Sequence, residues 1–207
     1  MRYLYLHGFG SGPSSAKAQF FKEQLAQEGL ELEIPELVPG DFSALSMTGM
    51  LAVLEAQLGG APSCLIGSSL GGFLAALYAS QHETVERLVL LAPAFGFPRR
   101  WRGKLGEEAF ADWRSSGRLK VWHYASDREA EVGFQLYQDG LHYLEEPEVR
   151  QATLVIHGRQ DETVPVEWSR RWSQGKENVS YREVESDHSL TDVLDGIAPE
   201  VISFLTS

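Results

Sequence analysis

Ser63-Cys64-Leu65-Ile66-Gly67-Ser68-Ser69-Leu70-Gly71-Gly72-Phe73-Leu74-Ala75-Ala76-Leu77-Tyr78-Ala79 is the segment from which the architecture of this chain unfolds. Ser63 to Ile66 is nearly all apolar and predicts a strand covered on both faces. Leu70 to Ala79 is apolar almost all round and predicts a buried helix. Between them stands Gly67-Ser68-Ser69-Leu70-Gly71, a G-x-S-x-G pentapeptide. A strand that turns this abruptly into a helix crowds the residues two before and two after the central serine, so both must be small. The turn lifts the Ser69 hydroxyl clear of the sheet and sets it at a helix N-terminus, where developing negative charge is favoured.

Outward from this segment, short β-rich runs alternate with longer amphipathic ones. Strands are expected at Tyr3 to Leu6, Leu30 to Ile34, Val85 to Leu91, Thr153 to His157 and Val179 to Val184. Helices are expected at Ser15 to Gln27, Ser43 to Leu58, Val166 to Trp172 and Val193 to Leu205, with Pro199 an imperfection in the last. The alternation predicts an α/β fold: a mostly parallel sheet with helices on both faces and chemistry at the carboxyl ends of its strands. The stretch Pro93 to Pro147 interrupts it with many aromatic residues, a possible strand at Leu119 to Tyr124 and a helix at Ala130 to Tyr143. It reads as a short lid-like insert (about 93–147) in a single domain spanning 1–207.

Bulk properties narrow the function. The 207 residues suit one domain with its own core, and 43% hydrophobic with 23% charged residues is an ordinary globular mix. A formal net charge of −11 repels nucleic acid and anionic membrane. It also disfavours highly anionic substrates at long range, unless a local basic pocket overrides it. The single cysteine, Cys64, rules out an internal disulfide, favours a reducing compartment, and reads as a small buried hydrophobe. No run approaches the ~18 apolar residues of a membrane span, so the expectation is a soluble, cytoplasmic protein without membrane insertion.

A serine hydroxyl needs a base to take its proton. Of six histidines, His188 follows the last expected strand, in Ser186-Asp187-His188-Ser189, where a base belongs in this fold. The base needs an acid partner, expected after the preceding strand. There His157-Gly158-Arg159-Gln160-Asp161-Glu162-Thr163-Val164-Pro165 offers Asp161, with Glu162 and Asp187 as competitors. The chain order Ser, Asp, His favours Asp161. The oxyanion that forms during acyl transfer needs two backbone N–H groups. The candidates are Leu70, directly after the serine, and Phe9, in the glycine-rich loop His7-Gly8-Phe9-Gly10-Ser11-Gly12-Pro13. A phosphate cradle is the rival reading of that loop, but no P-loop lysine pattern is present and Lys17 stands at the wrong spacing.

These motifs together resemble the α/β-hydrolase superfamily over nearly the whole chain. The run His7 through Ala18, with Pro13, Ser15 and Lys17-Ala18 in place, is similar to small YqiA-type bacterial esterases. The resemblance implies a serine hydrolase of carboxylic esters or thioesters, working through a Ser69, His188 and Asp161 triad without metal or cofactor, on a small-molecule ester. A serine peptidase or acyltransferase would use the same triad, and a silent binding protein would keep the fold without activity. Phe9, Phe95, Phe97 and Trp101 either wall the substrate pocket or fill a small core.

Overall fold

A computed structural model describes residues 1–38 and 40–207. Six strands form one parallel sheet: β1 (Arg2–Leu6), β2 (Leu32–Glu33), β3 (Ser63–Ser68), β4 (Val85–Leu91), β7 (Ala152–Gly158) and β8 (Val179–Val184), in the order β2-β1-β3-β4-β7-β8. The strand that leads into the serine therefore lies inside the sheet, between β1 and β4. Every residue of β3 is buried. Its side chains alternate between the two faces: Leu65 packs with Leu88 and Val155 on one, Cys64 and Ile66 with Val89 and Ile156 on the other.

Helices α1 (Ala16–Gln27) and α8 (Leu194–Thr206) cover the second face through Phe21, Leu25, Ile197 and Val201. Helices α2 (Met47–Leu58), α3 (Leu70–Gln81) and α7 (Val166–Ser173) cover the first through Met50, Leu54, Phe73 and Trp172. Helix α8 runs through Pro199, which is exposed. The Asp195 carbonyl that loses its helical donor there is on an exposed residue, where water can replace it.

Three expected elements change. The helix expected from Ser43 begins instead at Met47. Asp41 accepts the Ser43 N–H and closes a separate 3₁₀ turn over Phe42–Ala44, and Ser46 caps α2 by accepting the Gly49 N–H. The second strand shrinks to the two residues that pair with β1, Leu32 and Glu33. The helix expected over Ala130 to Tyr143 is strand in its first part. β5 (Arg118–His123) and β6 (Arg128–Gly133) form an antiparallel hairpin, and only α6 (Gln135–Gly140) is helical. Pairing decides this: Ala130 lies opposite Val121 and Val132 opposite Leu119. The Val132 carbonyl also accepts the Trp113 indole N–H, which a helical turn would have engaged.

The remaining helices, α4 (Arg99–Leu105) and α5 (Glu107–Ser116), stand between β4 and the hairpin. The segment from α4 to α6 packs through Phe110, Trp113, Phe134 and Tyr137. Among the described residues, no helix is long and apolar enough to cross a membrane.

Candidate active site

Ser69 occupies the turn between β3 and α3 with φ 55° and ψ −118°, a conformation that costs a non-glycine residue of order 1–3 kcal/mol. Two glycines permit that turn. A Cβ on Gly67 would lie 2.4 Å from the Gly71 carbonyl oxygen, and one on Gly71 would lie 2.1 Å from the Leu6 carbonyl oxygen. The small residues two before and two after the serine are thus required by backbone crowding on both sides.

The structure brings Ser69, His188 and Asp161 together. His188 Nε2 lies 2.9 Å from Ser69 Oγ, and His188 Nδ1 lies 2.6 Å from Asp161 Oδ2. The carboxylate fixes the tautomer: Nδ1–H donates to Asp161, leaving the Nε2 lone pair to accept the serine proton. The loops after β7 and β8 are laced together by Arg159 N–H to the Val184 carbonyl and Gln160 N–H to the Ser186 carbonyl. Gly158 allows this, since a Cβ there would lie 2.4 Å from the carbonyl oxygens of both Ser186 and Asp187.

Asp161 is buried and fully engaged. Its Oδ1 accepts the Thr163 and Val164 N–H groups at 2.8 and 2.7 Å. Its Oδ2 accepts from His188 and from His157, whose Nε2 is 3.0 Å away. Burial by itself would raise the carboxyl pKa. The hydrogen bonds from His157 and His188, with the His188 charge, outweigh it and hold the group well below the usual carboxylate range. Glu162 is exposed, and Asp187 is spent on the Ser189 N–H and hydroxyl.

His157 closes the strand expected over Thr153 to His157 and is not among the site residues expected from the sequence. It is fully buried, its Nε2 faces two acceptors (Asp161 Oδ2 and the Val164 carbonyl, 2.9 Å), and its Nδ1 lies 2.8 Å from Ser169 Oγ. Nε2 therefore carries the proton and Ser169 donates to Nδ1. The signal available was a histidine in an apolar strand: a buried imidazole needs polar partners, and Asp161 is the first carboxylate after the turn.

The loop after β1 passes beside the serine. A Cβ on Gly8 would lie 3.4 Å from Ser69 Cβ. The Gly8 carbonyl accepts the His7 Nδ1–H and the Ser11 N–H, both at 3.2 Å, while His7 Nε2 accepts the Leu37 N–H at 3.4 Å. Burial lowers the His7 pKa, consistent with this neutral tautomer. In a trans peptide the Phe9 N–H points away from the Gly8 carbonyl, so pinning that oxygen also aims the Phe9 amide. Neither the Phe9 nor the Leu70 N–H has a hydrogen-bond partner among the described residues.

The expected aromatic wall divides. Phe95 and Phe97 are 0% and 1% exposed. Phe95 stacks on Trp172 at 4.6 Å, and Phe97 packs against Phe73. Both fill the core and offer no surface to a ligand, which corrects their reading as pocket residues. Trp101 and Phe9 are half-buried and meet edge to face at 5.0 Å, with Phe42 at 5.4 Å from Phe9. A cleft of about 650 Å³ beyond Phe42 is lined by Ser11, Asp41, His123 and Glu129, among others, but by none of Ser69, Asp161 or His188.

Among solved structures, the fold is that of the α/β hydrolases. Est1E from Butyrivibrio proteoclasticus, in a structure with ferulic acid bound, superposes with a TM-score of 0.83 at 19% identity, over 99% of this chain and 89% of that one. Alpha/beta hydrolase domain-containing protein 10 from mouse gives 0.82 at 18% identity, over 97% and 88%. A monoacylglycerol lipase from Paleococcus ferrophilus gives 0.79 at 16%, over 98% and 93%. The chain itself belongs to the uncharacterised protein family UPF0227, whose family model matches residues 2–206.

Proposed function

We propose that this protein is a serine hydrolase that cleaves carboxylic esters or thioesters through an acyl-enzyme on Ser69. The observation that carries this reading is the unbroken relay from Ser69 Oγ through His188 to Asp161, at 2.9 and 2.6 Å. In the first half-reaction, Ser69 attacks the carbonyl carbon while His188 Nε2 takes its proton. The Phe9 and Leu70 amides receive the oxyanion, and His188 then protonates the departing alcohol or thiol. In the second, His188 activates water, which releases the acid. Asp161 stays ionised throughout, stabilising the imidazolium. The names of Est1E's bound ferulic acid and of the Paleococcus lipase are in keeping with an ester substrate. Residues 93–147 act as a cover on a single domain.

The test is a fluorophosphonate probe with a panel of p-nitrophenyl esters and acyl thioesters. Ser69 should be labelled in the folded protein, and Ser69→Ala should abolish both labelling and turnover. Asp161→Asn should lower kcat by about 10⁴, by analogy with the loss when a triad acid is neutralised. Folded protein that neither labels nor turns over any member of the panel would remove the proposal.

A further inference from the structure

Most arginines of this acidic chain are neutralised at the surface, as in the Arg2–Glu33, Arg118–Glu131 and Arg182–Glu200 pairs. Arg100, in the first turn of α4, is not. It is half-buried and has no carboxylate within 4 Å among the described residues. Its Nη1 donates to the Thr163 carbonyl at 2.6 Å, and Thr163 in turn gives its N–H to Asp161, so the guanidinium is fixed to the acid loop of the site. Its Nε is buried and has no hydrogen-bond partner, and Nη2 has none either. An unmade hydrogen bond at a buried charged donor is costly, and such a group calls for an occupant.

A second cation, like Arg100, lies within electrostatic reach of Asp161. Lys17, in the first turn of α1 after the glycine-rich loop, is half-buried and makes no ion pair or hydrogen bond among the described residues. Burial pushes its ammonium down to about 8, against the attraction of Asp161 and Asp187. It remains mostly charged at neutral pH. Burial likewise lowers Arg100 against the pull of Asp161.

We propose that the substrate carries an anionic group, a carboxylate or a phosphate, that docks on the unpaired Nε/Nη2 edge of Arg100. The Nε and Nη2 donors of a guanidinium form a planar fork that matches the two oxygens of such a group. A local cationic site also answers the long-range repulsion that a charge of −11 imposes on anions. This inference rests on the Ser69 hydrolase reading and adds the substrate class.

The experiment compares kcat/KM for matched esters on the full chain. One pair places the charge on the acyl side, mono-4-nitrophenyl adipate against 4-nitrophenyl hexanoate. The other places it on the leaving group, 4-carboxyphenyl hexanoate against its methyl ester. In at least one pair the anionic member should be favoured by about tenfold or more, and the preference should shrink as salt rises. Arg100→Gln should collapse the ratio, and Arg100→Lys, which keeps charge without the fork, should restore only part of it. Inorganic phosphate that inhibits neutral-ester turnover more strongly than acetate would identify phosphate as the group; the reverse order would identify carboxylate. A wild-type ratio at or below one in both pairs, with Ser69 still labelled by fluorophosphonate, overturns the inference and leaves the hydrolase reading standing. A ratio unchanged in both Arg100 variants overturns it too. Absence of both labelling and turnover would instead remove the hydrolase reading beneath it.

Discussion

His157 Nε2 lies 3.0 Å from Asp161 Oδ2, the same oxygen that accepts from His188 Nδ1 at 2.6 Å. One carboxylate oxygen thus serves two imidazoles, one facing the serine and one buried behind it. The rear imidazole holds the carboxylate in place behind the one that faces Ser69. Replacing it should be felt at Ser69 although it touches no substrate.

His157→Leu should therefore lower kcat by roughly tenfold and destabilise the fold by about 1–3 kcal/mol, the usual range for stranding a buried polar group. The sign of its pH effect follows from Asp161. That carboxyl is depressed in the folded state, so its contribution to stability is present above its unfolded pKa of about 3.9 and is lost as pH falls toward the folded value. With one donor removed the folded pKa rises, and acid unfolding should begin at higher pH. Acid titrations of the two proteins followed by circular dichroism check this; identical acid midpoints would count against the positioning role.

Gly158→Ala should separate folding from activity. The new Cβ would lie 2.4 Å from two carbonyl oxygens of the loop that carries His188, so the loop must shift and the 2.9 Å contact to Ser69 must open. A loss of about a hundredfold in kcat/KM is expected from so small a misplacement. Gly196→Ala is the control. Nothing lies within 4 Å of a Cβ there, and the site is interior to α8. It should stabilise by about 0.5–1 kcal/mol and leave turnover alone.

Lys17→Met should make the protein more stable at pH 7. The folded ammonium has its pKa pushed from 10.5 down to about 8, so the unfolded chain binds the extra proton between those values. Stability associated with Lys17 therefore rises with pH across that window and is missing below it. The gap in Tm between variant and wild type should be greatest at and below pH 8 and close by about pH 10.5. A gap that does not depend on pH would show that the ammonium is as well solvated in the folded state as in the unfolded one.

Cys64 should stay silent toward Ellman's reagent at pH 8. Burial in β3 pushes its thiol up to about 11 and closes access to it. One thiol per chain should appear only on denaturation. Rapid reaction of the native protein would reopen the question of which nucleophile is used.

The limits of Val85–Leu91 and Val179–Val184 are the same in the sequence reading and in the structure, because both are β-rich runs bounded by polar turns. Ser69, His188 and Asp161 were legible for a related reason. Each follows a strand at the same edge of the sheet, so local patterning fixes where they meet. The hairpin was not legible: Val132 reaches the core through a strand that forms only by pairing with β5, and Asp127, at φ 50°, makes the turn without a glycine to announce it. Phe95 and Phe97 show the same limit. Aromatic density implies burial, but whether it is burial against Trp172 and Phe73 or against a ligand depends on partners distant in the chain. Arg100 lay hidden for the converse reason, since its missing partner shows only in three dimensions.

The tip of the hairpin touches the site. Ala125 N–H donates to the Gly10 carbonyl at 3.0 Å, and a Cβ on Gly12 would lie 3.2 Å from the Ala125 side chain. Gly10 is the neighbour of Phe9, so the hairpin is clasped to the strip of backbone that bears the first of the two proposed oxyanion donors. Grafting a foreign cover onto this scaffold to change what enters would therefore unlatch Gly10 as well. On the proposed reading, a graft that keeps the Ala125 clasp changes the appetite alone, and one that drops it changes the rate as well.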